Sequence, residues 1–227
     1  FVGCSDEPSS GGDAAAPAEA PVPAEAPGVA PEALDPRTDG AFRIVATTTQ
    51  AADLARILTT GVEGVELTAL MGAGVDPHLY QPTEGDIEAM NRADMVIYSG
   101  LHLEGQFDTV FEALREQEVL IYTLADPVKR AGFVIGSFDE ELSQLGSDDP
   151  HFWFDPRNWQ ITVDDLAETL ASMDPEGAER YQSNAAEYLE QLDLLYGWAD
   201  EGMRTVPGGQ RYLVTSHDAF QYFGAAF

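Results

Sequence analysis

From Phe42 onward, short apolar runs of strand length take turns with stretches whose apolar residues recur every three or four positions. That alternation constrains the fold more than any other feature. Strands that alternate with helices build a parallel sheet with right-handed crossovers and helices on its faces. Phe42–Ala46 reads as the first strand. Gln50–Leu58 reads as a helix with Ala51, Leu54, Ala55 and Leu58 on one face. Strands at Val65–Leu70, Met95–Tyr98 and Val119–Thr123 follow, with helices at Glu84–Arg92 and Phe107–Arg115 between them. Residues 130–149 read as an acidic loop. Asp155 and Pro156 suit the cap and first turn of a helix reaching about Met173. Pro175 opens a longer helix to about Arg204, with Tyr181, Ala185, Tyr188, Leu192 and Leu195 on its buried face. Pro207-Gly208-Gly209 ends it, and Arg211–Thr215 reads as a further strand. The expected fold is α/β: residues 42–174 form a lobe with a four-stranded parallel sheet, and residues 175–206 a long rigid helix. Residues 207–227 form the start of a second α/β lobe, most of which is expected to lie beyond this chain.

The segment ahead of the first strand has another character. Residues 5–40 hold seven prolines and nine alanines, with eight acidic residues against the single base Arg37. Such a composition cannot pack a core and stiffens the chain, so residues 5–41 read as a disordered tether. Ahead of it stands Phe1-Val2-Gly3-Cys4-Ser5, with the only cysteine of the chain. A small residue before that cysteine resembles the end of a bacterial lipobox, where Cys4 would be lipidated and residues 1–4 would close the signal peptide.

The whole chain carries a net charge of −29, from 40 acidic and 11 basic residues. Only one base, Lys129, is a lysine. This excludes nucleic acid as a partner, because phosphate neutralisation needs clustered lysine and arginine. It also excludes electrostatic docking on anionic lipid. So acidic a surface suits a salt-rich habitat.

Three of the four histidines share a setting. Asp-Pro-His occurs as Asp76-Pro77-His78 and again as Asp149-Pro150-His151, and His217 follows the last strand-like run. Open parallel sheets place ligand groups beyond the carboxyl ends of their strands, and His78 falls there. Three imidazoles converging from distant loops make most of a transition-metal site. The proline fixes the backbone of the aspartate before it in an extended form, which limits how each imidazole can swing. His102 reads as a partly exposed loop histidine. Glu104 either orients a ligand or opens the helix after it. Asp218 either hydrogen-bonds a ligand histidine or caps the next helix. Phe152, Trp153 and Tyr222 read as core.

Four segments together carry a family likeness. They are Gly74–Thr83, Gly100-Leu101-His102-Leu103-Glu104, Asp149–Pro156 and Leu213–Phe223. In this order they resemble the ligand loops of the zinc and manganese solute-binding proteins of ABC importers, over residues 42–227. The resemblance implies two lobes joined by one rigid helix, with the metal between them. His78 and His151 would come from the first lobe and His217 from the second, with a distant Asp or Glu as fourth ligand. Three borderline nitrogen donors favour Zn²⁺ as the cargo, with Mn²⁺ or Fe²⁺ as alternatives. The resemblance further implies an ABC permease and ATPase as partners, a lipid anchor through Cys4 outside the cytoplasm, and a monomer. A metal-dependent hydrolase and a surface adhesin with incidental metal are the rival readings. Against the hydrolase, the sequence holds no His-Glu-x-x-His pair, nucleophile elbow or phosphate loop. Gly132–Asp149 contains no histidine, so the His-rich loop of many zinc receptors is missing. His217 stands where dedicated manganese receptors often carry a carboxylate, which favours zinc.

Overall fold

The computed structural model describes residues 40–117, 119–137 and 148–227. The expected tether and Cys4 lie outside the described residues. Four parallel strands, β1 (Phe42–Ala46), β2 (Val65–Ala69), β3 (Met95–Tyr98) and β4 (Leu120–Thr123), form one sheet in the order β2-β1-β3-β4. Ile44 of β1 faces Leu67 of β2 and Met95 of β3, which fixes the register.

Period-two alternation sorts the strand side chains to two cores. Ile44, Ala46, Met95 and Ile97 face one side, and Val45 and Val96 face the other. On the first side pack α1 (Thr49–Thr59), α5 (Pro156–Met173) and α6 (Ala178–Arg204). On the second pack α2 (Glu84–Asn91) and α3 (Asp108–Glu116). The helix starts follow local chemistry. Thr48 caps α1 through the Ala51 N–H, Thr83 and Asp86 form a capping box on α2, and Asp155 caps α5 ahead of Pro156. Asn184 of α6 donates to the Leu58 and Thr60 carbonyls at 2.8 and 2.9 Å, satisfying acceptors that the end of α1 leaves open.

Three details depart from the sequence expectation. A short helix, α4 (Ala125–Arg130), was not anticipated; Pro127 sits in its first turn, where it sacrifices no helical hydrogen bond. The long helix buries Tyr181, Ala185 and Leu192, but Leu195 is 47% exposed, and Leu194 and Trp198 are each 75% exposed. Its 27 residues span about 40 Å, so its second half outruns the lobe it packs on. Residues 211–215 form no strand: Leu213 and Val214 are 59% and 92% exposed. Among the described residues no strand lies alongside to complete their ladder, and an extended run without one is not a sheet. The last helix is α7 (Gln221–Ala226).

Candidate metal centre

Both Asp-Pro-His tripeptides fold into the same turn. Asp76 Oδ1 accepts the backbone N–H of His78 at 3.0 Å, and Asp149 Oδ1 accepts that of His151 at 2.9 Å. An aspartate that accepts from the backbone two residues on is a self-contained turn device, and the intervening proline costs it no donor. The first turn hangs on the loop after β2. Tyr80, two residues past His78, donates its hydroxyl to Asp86 at 2.8 Å and so ties that loop to the cap of α2. The second turn precedes α5.

The second copy carries an additional contact. Asp149 Oδ1 also meets Nδ1 of His151 at 2.7 Å. Both residues are buried, Asp149 at 1% and His151 at 6% exposure. A carboxylate accepts only, so Nδ1 carries the proton and Nε2 presents its lone pair. That is the tautomer a metal ligand needs, held from behind by a carboxylate. Sequence reasoning credited the proline with restraining the loop and missed this role of Asp149. The signal was present in an aspartate two residues before each histidine.

The three histidines come together. Their ring centroids are 5.0 to 5.5 Å apart. One ligand atom from each of His78, His151 and His217 lies within 4.8 Å of the others, and these are the one such group of three or more among the described residues. Nε2 of His151 and Nε2 of His217 are 3.1 Å apart. Two nitrogens on one tetrahedral zinc at about 2.05 Å would stand about 3.3 Å apart. The His151–His217 pair is therefore already at ligand spacing, with a His78 nitrogen within 4.8 Å of both. The rings line a cavity of about 670 Å³ whose walls include Asp76, His102, Asp108 and Asp218.

The other candidate residues sort clearly. Glu104 is 2% exposed and accepts from the Thr47 hydroxyl at 2.7 Å and from the Ser99 and Gly100 N–H groups at 2.8 and 3.3 Å. None of these contacts is to an imidazole. Burial pushes its carboxyl above the usual range, against the pull of these donors. Glu104 pins a strained turn: Gly100, Leu101 and His102 all have positive φ, at 89°, 54° and 60°. A Cβ at Gly100 would meet Thr123 Cγ2 at 2.3 Å, so only glycine fits there. His102 is partly exposed at the rim of the cavity, 3.4 Å from Asp108. Asp218 is exposed on the same cavity and does not cap α7, whose cap position is Phe220. Phe152 and Tyr222 are core residues, as expected, whereas Trp153 is half-buried with its ring 5.4 Å from that of His151. Burial pushes the Tyr222 hydroxyl up to about 12, so it remains a donor at neutral pH.

The family described as ZnuA, zinc-uptake complex component A, periplasmic, matches residues 44–227. The manganese-binding lipoprotein MntA of Bacillus subtilis is 37% identical over 186 residues, covering 82% of this chain and 58% of that protein. The zinc-binding protein TroA of Treponema pallidum is 34% identical over 194 residues, covering 85% and 59%. The solved structure of the periplasmic zinc-binding TroA superposes with a TM-score of 0.74, covering 82% of this chain and 64% of that one. The chain thus spans about 60% of the length of the curated relatives it matches.

Proposed function

The chain belongs to the ZnuA family of periplasmic zinc-uptake components, and on that premise we propose that it is an extracytoplasmic receptor which captures a divalent transition metal at His78, His151 and His217 and hands it to an ABC permease and its ATPase. The observation that carries this reading is the convergence of three imidazole nitrogens within 4.8 Å, from residues far apart in sequence. Relatives described as metal-binding lipoproteins of transporters support a transport role over catalysis, and a periplasmic or surface location with a lipid anchor at Cys4. Residues 42–174 act as the first lobe, 175–206 as the connecting helix, and 207–227 as the opening of a second lobe that would supply a fourth, carboxylate ligand.

Zinc is the favoured cargo. Three borderline nitrogen donors favour Zn²⁺ over Mn²⁺, since affinity rises along the first-row series and Mn²⁺ prefers oxygen. Relatives named for manganese and for zinc are about equally similar, so the donor set decides this reading and similarity does not. The test is competition between Zn²⁺ and Mn²⁺ for the full-length protein near pH 7, where free imidazoles are mostly neutral. Tighter Zn²⁺ binding is expected, with a loss of at least tenfold in each of the His78→Ala, His151→Ala and His217→Ala variants. Tighter Mn²⁺ binding would overturn the zinc preference. Full affinity in any one variant would remove that histidine from the site.

A further inference from the structure

His217 poses a structural problem that the metal alone does not solve. Residues 211–218 are all exposed and form no sheet or helix. The carbonyl of His217 is bonded only locally, to the Thr215 hydroxyl at 2.7 Å and the Ala219 N–H at 3.1 Å. Helix α7, which follows, has six residues, too few to be stable without tertiary support. Yet the His217 imidazole stands at ligand spacing from that of His151.

The support comes five residues later. Tyr222 is 1% exposed, and its hydroxyl donates to the Asp149 carbonyl at 2.9 Å while accepting the Ile135 N–H at 3.0 Å. Asp149 itself donates its N–H to the Ile135 carbonyl at 2.8 Å. One phenol therefore joins α7 to both sides of the isolated antiparallel bridge between Gly136 and Asp148, next to the Asp149–His151 turn. Phe220 adds a second hold, its ring tilted by 36° against that of Phe154 with centroids 4.5 Å apart. Asp149 is also the residue that sets the His151 tautomer, so Tyr222 grips the backbone of the very turn that presents the partner imidazole.

We propose that Tyr222 is a positioning residue of the metal site: it docks the His217 segment onto the Asp149–His151 turn and so holds the two imidazoles as a ready-made pair for an incoming ion. The proposal rests on the reading that these histidines bind the metal. It assigns Tyr222 a role that acts through His217. The ion then has to recruit only His78 and whatever further ligand completes the site.

A double-mutant cycle on the full-length protein tests it, with Zn²⁺ affinity measured by competition with a chromophoric chelator. Tyr222→Phe keeps the ring and removes the hydroxyl. It should weaken Zn²⁺ binding about 10- to 100-fold, the usual cost of losing a group that orients a ligand. In a His217→Ala background the same substitution should change affinity less than about threefold, because the residue it positions is gone. A purely structural role would give the same loss in both backgrounds, and that result overturns the proposal. So does full affinity in Tyr222→Phe alone. If Tyr222→Phe does not fold, Phe220→Leu loosens the other hold on the same segment and should show the same dependence on His217. Unchanged affinity in His217→Ala alone would instead remove His217 from the site, and with it the reading on which the role of Tyr222 rests.

Discussion

Asp149→Asn separates the two roles that a buried carboxylate behind a histidine can have. The substitution keeps shape and one carbonyl oxygen. That oxygen can still accept the His151 backbone N–H and the Nδ1–H, which Asp149 Oδ1 now takes at 2.9 and 2.7 Å. What disappears is the negative charge that raises the basicity of Nε2. Loss of such an outer partner lowers metal affinity about 10- to 100-fold, or roughly 1.4 to 2.7 kcal/mol. The effect on the fold should be small, because two terms oppose each other. A hydrogen bond to a charged group is worth about 1 kcal/mol more than a neutral one, and that increment is lost at both bonds, about 2 kcal/mol in all. Against it, Asp149 is 1% exposed and its Oδ2 has no hydrogen-bond partner among the described residues. Burying an unsatisfied charge costs more than burying an unsatisfied amide, so the substitution relieves a penalty of similar size. The net change in metal-free stability should stay within about 1 kcal/mol, a shift of some 2–4 °C in Tm for a chain this long. Asp149→Ala should behave differently, since it strips the acceptor from both the backbone N–H and Nδ1–H and should damage binding and fold together. The assay pairs chelator competition with thermal unfolding of the metal-free protein. Affinity within threefold of the unaltered protein would refute the argument about Nε2. A stability loss above about 3 kcal/mol would show that the carboxylate serves the fold first.

Three further outcomes are expected. Burial holds the Glu104 carboxyl above its ordinary value of 4.5, so the folded state keeps a proton that the unfolded chain releases. This group's contribution to stability therefore falls as pH rises above about 4.5, and Glu104→Gln should flatten that part of the pH profile in urea unfolding, whereas parallel profiles would contradict it. Residues 40–227 hold 32 acidic and 10 basic residues, and their self-repulsion should be screened by salt. Tm should rise between 0.01 M and 1 M NaCl, as the Debye length shrinks from about 30 to 3 Å, and a flat response would show that the repulsion is negligible. Leu58 is fully buried between α1 and its neighbours, and Leu58→Ala should cost about 2–5 kcal/mol in denaturant unfolding; a loss under 1 kcal/mol would mean that the core at this position is loose.

The strands were legible because alternation and burial agree. Met95–Tyr98 is a buried run between two turns, and it forms β3 with the bounds its sequence suggests. Arg211–Thr215 has the same look, yet Leu213 and Val214 are among the most exposed apolar residues. A strand is a property of two chain segments, and a pattern in one cannot supply the other. Glu104 was ambiguous for a related reason. Its donors come from Thr47 and Ser99, at the ends of different strands, so its burial is visible only once β1 and β3 lie side by side. Of the three histidines, His78 could be placed by topology, at the carboxyl end of a parallel strand. His217 was grouped with the others because it follows a strand-like run, but that run is no strand, and the segment that carries His217 is held by Tyr222 and not by a sheet of its own.

Charge and donor chemistry divide the work at this site. Asp76, Asp108 and Asp218 line the cavity, and a chain with net charge −29 surrounds it. That field draws in cations of every kind, including Ca²⁺ and Mg²⁺, which prefer oxygen ligands. It raises local concentration without choosing among them. If His78, His151 and His217 hold the ion, as proposed, the choice would fall to three nitrogen donors, which hard cations bind poorly and zinc binds well. The buried Asp149 carboxylate behind His151 would then keep its negative charge off the ion, strengthening His151 as a ligand without offering an oxygen that calcium could take. On the proposed reading, Asp149 behind the imidazole and the other acids on the cavity wall would let so acidic a protein favour a nitrogen-seeking metal.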